Sequence, residues 1–222
     1  MLYNPPQFRD GDAGAPRAFV EAVGFATLVT LGEAEGAREL DVTALPLLWD
    51  EEGGEPRLIG HVSRANPQWK RLAAGVSALA VFQAHDHYVS PAWYPAKREH
   101  GKVVPTWNYE LVAVWGRLAT TEDPAALERI VTRLTERHEA RRGPGAEPWA
   151  VSDAPADFVA GMLKGIVGLT LSIERIEGKR KLSQNRPEPD KAGVREGLER
   201  EGTQGAGSVA AALAAFDRAN GG

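Results

Sequence analysis

The hydrophobic pattern along the chain predicts a protein built mainly from short β-strands. Apolar residues alternate with polar ones or run together for a few positions, and Gly, Pro, Asp and Asn separate these stretches. Strands follow one another without regular helical crossovers, which favours a mainly β fold, an antiparallel barrel with short flanking helices. The predicted strands cover residues 25–31, 41–49, 57–62, 77–83, 109–118 and 165–176, with 88–90 continuing the sheet.

A few stretches with helical spacing predict peripheral helices. Asn66-Pro67 and Asp123-Pro124 each combine an N-cap residue with a proline at the first helical position. The second pair opens an amphipathic helix that extends to about residue 138. Further helices are predicted over residues 14–23, 154–164 and 208–216.

Composition changes after Pro187, where charged and Gly-rich segments begin. We therefore predict a barrel domain with a cofactor-binding role over residues 1–186 and a C-terminal helical extension over residues 187–222. The extension contains an Ala-rich helix with Val209, Leu213 and Phe216 on one face, and residues 220–222 are predicted to be disordered.

Composition and charge exclude several classes of protein. The chain has 222 residues, with 26 Lys and Arg against 30 Asp and Glu, so its net charge is −4. The absence of Cys excludes a disulfide scaffold, a thiol nucleophile, a Cys-ligated zinc and an iron–sulfur cluster. The mild acidity argues against a surface built throughout for nucleic-acid phosphates. No apolar run approaches the roughly 18–20 residues of a membrane span, and the start has no signal-peptide pattern, so we expect a cytoplasmic protein.

The most informative local segment is the end of the strand at residues 57–62 and the turn that follows it. Ser63 offers a hydroxyl and Arg64 a guanidinium, and the helix capped by Asn66 begins directly afterwards. A helix start offers free N–H groups to an anion, and arginine binds phosphate with two hydrogen bonds. The segment therefore has two interpretations, a phosphate site or a simple helix cap beside a surface arginine.

Histidines supply further candidates. Strand alternation places His61 on the face opposite Leu58 and Val62, where it is a haem ligand, a hydrogen-bond donor to a flavin edge, or a hydrogen-bonded core histidine. His85 and His87 flank Asp86 with a spacing that resembles a metal site. A hairpin turn with exposed histidines explains that triplet more simply, so no metal ligand is assigned there.

Aromatic residues cluster around one Pro-rich loop. Trp93-Tyr94-Pro95 and Trp107-Asn108-Tyr109 bracket it, in a chain with six Trp. Trp and Tyr combine a flat apolar body with a polar tip, which suits a planar ligand or a subunit interface. The alternative is that these aromatic residues pack in the core of the barrel.

A basic segment, residues 178–186, follows the last predicted strand and contains Lys179, Arg180, Lys181 and Arg186. It predicts either a solvated basic tail or a contact with an anion or nucleic acid. No stretch has the pattern of a DNA-recognition helix, and the chain lacks a GxGxxG fingerprint, a P-loop and a GxSxG elbow.

Taken together, these segments resemble the PaiB-type family, the FMN-binding negative transcriptional regulators. The matching pieces occur in family order and cover the chain to about residue 216. They are Met1–Phe8, Gly60–Trp69, Tyr88–Pro95, Val104–Tyr109, Gly165–Gly168, Ile176–Lys179 and Lys181–Asn185.

The resemblance implies a split β-barrel that binds FMN, usually as a homodimer with the cofactor at the subunit interface, like pyridoxamine-phosphate oxidases. It implies that Ser63 and Arg64 hold the phosphate beside Asn66, and that the strand from Thr43 to Leu47 follows the isoalloxazine edge. Later parts of the chain, in the same or the partner subunit, would supply the remaining cofactor-binding residues, Trp107, Asn108 and Lys181.

Three hypotheses follow for function. The first is a negative transcriptional regulator that senses flavin or redox state. The second is a flavin- or haem-dependent oxidoreductase acting on a small metabolite, with His61 as the proximal ligand if the cofactor is haem. The third is a cofactor-free dimer that uses the barrel as an interaction module. No catalytic residue is assigned under any of them.

Overall fold

The computed structural model describes residues 1–9, 13–34, 36–72 and 75–219. Within these ranges the chain forms seven strands and six α-helices, with short 3-10 helices at Pro6–Phe8, Pro67–Arg71, Pro91–Trp93 and Val151–Asp153. The strands are β1 (Phe25–Ala34), β2 (Ala37–Pro46), β3 (Leu48–Asp50), β4 (Arg57–Ser63), β5 (Val76–Val89), β6 (Thr106–Thr121) and β7 (Ile166–Lys181). The α-helices are α1 (Ala15–Val23), α2 (Ala96–Glu99), α3 (Pro124–Glu139), α4 (Ala156–Leu163), α5 (Glu188–Glu201) and α6 (Gln204–Ala219).

The strands form one antiparallel sheet in the order β2-β1-β5-β6-β7-β4-β3. β1 and β2 pair along their whole length as a hairpin, and β3 and β4 form a second, shorter hairpin. The predicted antiparallel fold with flanking helices is confirmed. Helices nevertheless contain as many residues as strands, 38% against 36%, because residues 188–219 form two helices where the sequence predicted one.

β1, β5, β6 and β7 are all longer than their sequence predicts, and two of them change the interpretation of a segment. β5 continues through His85, Asp86 and His87, so the hairpin turn predicted there is wrong. His85 has a φ of 55°, a left-handed conformation that is common in turns. The polar sequence around it therefore resembles a hairpin turn, although the strand continues. β7 continues through the basic residues to Lys181.

The described chain divides into two compact units. The first unit comprises the described residues within 1–16, 83–112 and 177–222, and the second those within 17–82 and 113–176. The domain boundary predicted after residue 186 stays a prediction. No helix among the described residues is long and apolar enough to cross a membrane.

In the second unit, helix α3 covers one face of β4. Asp123 caps this helix as predicted, because its carboxylate accepts a hydrogen bond from the N–H of Ala126 at 2.9 Å. Ile130 and Leu134 on the helix are buried against Ile59 of β4. Burial of such side chains stabilises the contact by roughly 1.5–3 kcal/mol each.

In the first unit, helices α5 and α6 enclose an apolar cluster. It includes Val89 at the end of β5 and the predicted α6 residues Val209 and Leu213, with Phe216 packed beside them. Trp93 lies so close to α5 that a Cβ added to Gly197 would stand 2.2 Å from its ring. The predicted C-terminal helix is thus confirmed, whereas residues 220–222, predicted to be disordered, lie outside the described residues.

Candidate functional site

A network of polar side chains lies between β2 and the turn after β4, in the second unit. Thr43 donates its hydroxyl hydrogen to Oε1 of Gln68 at 2.5 Å and accepts a hydrogen bond from Nδ2 of Asn66 at 2.8 Å. Gln68 in turn donates to Oγ1 of Thr30 at 2.9 Å. Thr43 and Asn66 are therefore brought together, and the buried Gln68 fixes both side chains.

The helix predicted after Asn66 is a 3-10 helix of five residues. Asn66 caps it as predicted, since Oδ1 accepts a hydrogen bond from the N–H of Gln68 at 2.9 Å. The hydroxyl oxygen of Ser63 accepts from the N–H of Ala65 at 3.2 Å. These N–H groups are already satisfied by the protein, so side chains rather than a helix start would have to bind an anion here.

Arg64 is bound by acceptors on three sides. Its Nε donates to the main-chain carbonyl of Lys164 at 2.7 Å, and Nη2 donates to that of Ile166 at 3.4 Å. Nη1 forms a short ion pair with the carboxylate of Glu122. The guanidinium also lies 5.9 Å from the ring of Trp69. Arg64 is thus adjacent to Ser63 in the chain, but its charge is directed at Glu122.

His61 faces helix α3. A Cβ on the preceding residue, Gly60, would point at Leu47, so the His61 side chain leaves β4 on the other face. Its cross-strand partner is Gly168, where a Cβ would approach Leu127 of α3 at 3.1 Å. Nδ1 of His61 is buried without a hydrogen-bond partner in the described chain, and burial lowers the pKa of the imidazole.

Three further predicted residues, Trp107, Asn108 and Lys181, belong to the first unit. Lys181 donates a short hydrogen bond from Nζ to the hydroxyl of Thr106. Burial, followed by repulsion from neighbouring cations, lowers the pKa of Lys181. Asn108 is fully buried and accepts a hydrogen bond from Ser183 at 3.0 Å.

Trp107 is the exposed member of this group. Half of its surface is exposed, and its ring meets that of Tyr88 edge-on at 6.2 Å. Trp93, at the other end of the aromatic loop, stacks with His87 at 6.3 Å and packs on α5. Trp107 is therefore available to a planar ligand or a partner, whereas Trp93 holds the C-terminal helices.

The basic segment is largely engaged within the first unit. Lys179 is buried and donates to the main-chain carbonyl of Tyr3 at 2.9 Å. Arg180 forms an ion pair with Glu110 at 2.9 Å, and Arg186 lies 4.9 Å from the ring of Tyr94. The segment is not a solvated tail, and its first two cations are not displayed to a nucleic acid.

Sequence reasoning missed three contributors to the site. Gln68 is one of the few buried polar residues, and Glu122 and Lys164 contact Arg64 from positions about 58 and 100 residues away. Of these three residues, only Gln68 could have been found from the sequence. The Asn66-Pro67 pair predicts a helix start, and the cap bonds to the residue two positions after Asn66. Among the described residues, no group of three or more His, Asp or Glu side chains has an arrangement that holds a metal.

Comparisons with known proteins identify the family of this chain. Residues 2–175 match the family described as "Putative FMN-binding domain". The chain is 32% identical to the protease synthase and sporulation protein PAI 2 of Bacillus subtilis, over 90% of both chains. It is also 36% identical to an uncharacterized protein of Aspergillus fumigatus, over 66% of this chain and 67% of that one.

Solved structures share the fold at low sequence identity. The FAD and haem binding protein from Mycobacterium smegmatis has a TM-score of 0.54 at 15% identity, covering 85% of this chain and 80% of that chain. A flavocytochrome from Azotobacter vinelandii has a TM-score of 0.52 at 17% identity, covering 82% and 71%. These likenesses confirm the predicted split-barrel fold. Because the family model and the Bacillus subtilis relative both match most of its length, the chain belongs to the PaiB-type family of FMN-binding-domain proteins.

Proposed function

We propose that this protein binds FMN, with Ser63 and Arg64 at the phosphate and the Thr43–Asn66 pair beside the flavin. The observation that carries the proposal is the polar network that fixes Thr43 and Asn66 next to the end of β4. Preorganised side chains of this kind cost little ordering entropy when a ligand binds.

The residues at the end of β4 fit a phosphate. Ser63 is exposed, so its hydroxyl hydrogen is available although its oxygen already accepts from Ala65. The Arg64–Glu122 ion pair is half-exposed, and such pairs are worth only about 0–1 kcal/mol. A phosphate with nearly two negative charges competes well for that guanidinium.

A bound flavin supplies a redox centre that accepts or donates electrons. The contribution of this chain is to hold and orient it: Arg64 and Ser63 fix the phosphate end, and Thr43 and Asn66 present a hydroxyl and an amide to polar atoms. The exposed Trp107 offers a ring face to a planar molecule.

We further propose that the protein is a homodimer. Leu40 and Val42 lie on one face of the edge strand β2 and are 71% and 63% exposed. On β1, Leu31 is the cross-strand partner of Leu40 and is exposed on the same face. Phe25, six residues before Leu31 in the strand, points to that face as well and is exposed. An exposed apolar stripe of this length is typical of a protein interface.

For the biological role we propose negative regulation of transcription through a protein partner rather than through direct reading of DNA. The engagement of Lys179 with Tyr3 and of Arg180 with Glu110 supports this route. Direct contact with duplex DNA would instead make the affinity for DNA fall steeply as the salt concentration rises.

A haem-dependent oxidoreductase is the second candidate. The partnerless Nδ1 of His61 favours it, because the lowered pKa keeps the imidazole in the neutral form that binds iron. The packing of His61 toward α3 argues against it, since Leu127 and Ile130 occupy the space on that face of β4 near Gly168.

The test compares FMN with riboflavin, which lacks only the phosphate, and includes FAD and haemin as the other candidate cofactors. Purified protein is titrated with FMN, FAD, riboflavin and haemin, and binding is followed by flavin fluorescence and by absorbance. Arg64→Ala is expected to weaken FMN binding at least tenfold, which corresponds to about 1.4 kcal/mol, and to leave riboflavin binding unchanged. Arg117→Ala is the control, because Arg117 also forms an exposed ion pair, with Glu174 at 2.9 Å.

Each cofactor hypothesis has a distinct result. Equal FMN binding by the wild-type protein and Arg64→Ala would reject the phosphate assignment. A Soret band that Arg64→Ala retains and His61→Ala loses would reject flavin in favour of haem. Failure of every cofactor to bind would favour the cofactor-free interaction module.

A further inference from the structure

A cavity of about 780 Å³ lies in the second unit, between α3 and residues 150–164. Its volume is in the range of small-molecule pockets, which is roughly 300–1,000 Å³. Apolar side chains form most of its walls, including Leu127, Val159 and Leu163. None of the Thr43, Asn66 or His61 side chains lines it, so it is distinct from the network beside β2.

The charges on this cavity are unbalanced. Glu128 and Glu136 lie on the α3 side, two helical turns apart, and neither makes an ion pair within the described residues. Glu122 is paired with Arg64 at the rim, and Lys164 is the other cation of the lining. Apart from the Arg64–Glu122 pair, the lining therefore carries two negative charges, on Glu128 and Glu136, and one positive charge, on Lys164.

From this combination we propose that the cavity binds a small amphipathic amine. Its apolar body lies against Leu127, Val159 and Leu163, and its ammonium donates to the carboxylate of either Glu128 or Glu136. A charge-assisted hydrogen bond to a carboxylate favours a cation over a neutral molecule of the same shape. The same carboxylates repel an anion.

The amine site is coupled to the flavin site through Arg64, a step that rests on the proposed function. The guanidinium of Arg64 cannot form a full ion pair with the FMN phosphate and with Glu122 at the same time. When FMN takes the guanidinium, Glu122 becomes a third unpaired carboxylate on the cavity, and amine affinity rises. By linkage the amine raises FMN affinity by the same factor, about twofold to fivefold for one exposed charge.

The experiment titrates the full chain, without flavin, with 4-phenylbutylamine by calorimetry. The uncharged 4-phenylbutanol and the anionic 4-phenylbutyrate are matched probes of the same length. We expect saturable binding at one site in the order amine, alcohol, carboxylate. The double variant Glu128→Gln, Glu136→Gln should weaken amine binding about twofold to fivefold and leave alcohol binding unchanged, and the single variants show which carboxylate binds the ammonium.

Two variants locate the site. Ala160→Trp places a large ring at the exposed wall of the cavity and should abolish binding of amine and alcohol alike, with the fold checked by circular dichroism. Glu199→Gln, an exposed carboxylate on α5, is the control and should change nothing. Binding that survives Ala160→Trp, or a carboxylate probe that binds as tightly as the amine, would overturn the proposal, as would the absence of saturable amine binding.

The coupling is tested by repeating the amine titration in saturating FMN. Unchanged amine affinity in a protein that binds FMN would reject the coupling. If FMN itself does not bind, the proposed function fails, and the titration of the flavin-free chain still decides the amine site.

Discussion

The carboxylate of Glu122 accepts a hydrogen bond from Nη1 of Arg64 and so holds the cation that we assign to the flavin phosphate. Nε of the same guanidinium donates to the carbonyl of Lys164 at 2.7 Å. The residue that we propose for the phosphate is therefore already paired in the flavin-free chain, and under this proposal part of the binding free energy of FMN is used to release it.

Removal of that competitor should favour the cofactor. Glu122→Gln keeps the shape of the side chain and removes its charge, so the dissociation constant of FMN should fall about twofold to fivefold. Riboflavin has no phosphate, and its affinity should stay the same. Fluorescence titrations measure both. Glu174→Gln, which breaks the comparable pair with Arg117, is the control, and an equal gain for riboflavin would contradict the explanation.

Gly60 marks a close approach that admits no side chain. An added Cβ would stand 2.7 Å from Cδ2 of Leu47 and 2.8 Å from the carbonyl oxygen of Pro46. Gly60→Ala should therefore lower the free energy of unfolding by about 1–3 kcal/mol, the usual cost of overpacking. Urea unfolding followed by circular dichroism measures the change.

Gly161 provides the matched control for that substitution. It lies in α4 with no heavy atom within 4 Å of an added Cβ. Gly161→Ala should raise the free energy of unfolding by about 0.5–1 kcal/mol, because alanine loses less backbone entropy in a helix. A loss of stability at Gly161, or none at Gly60, would contradict the steric argument.

The sequence predicted best where local chemistry decides the structure. The caps at Asn66 and Asp123 appear as expected because each side chain bonds to an amide two or three residues later. β5 was predicted too short because His85 adopts a positive φ inside a continuous strand, and its sheet partners are distant in sequence.

Local patterns predicted only part of the candidate site, and Thr43 was added by the family resemblance alone. Ser63, Arg64 and Asn66 are neighbours in sequence, and their order alone suggested an anion site. The partners that control them come from far away: Thr43 from another hairpin, Glu122 from the end of β6 and Lys164 from the end of α4. Such pairings depend on tertiary packing, which no local pattern reveals.

The proposed dimer predicts a specific effect on the edge strand β2. Leu40→Asp places a charge on the exposed apolar stripe and should convert a dimer to a monomer in light scattering, with the fold intact by circular dichroism. Phe158→Asp, at a comparably exposed apolar residue on α4, is the control and should leave the mass unchanged. A wild-type protein that is monomeric at all concentrations would reject the interface.

Burial of His61 makes stability depend on pH in a defined direction. Its pKa in the folded chain is lowered from the ordinary value of 6.5, so the unfolded chain protonates this imidazole first as pH falls. The folded state then binds fewer protons, and the free energy of unfolding decreases from about pH 6.5 down to the folded pKa. Above that window both states are neutral and this contribution is flat.

Urea midpoints between pH 7.5 and 5 should fall less steeply in His61→Gln than in the wild-type chain. His100→Gln, which alters an exposed loop histidine, should retain the wild-type slope, and an equally steep decline in His61→Gln would show that another group governs the acid sensitivity.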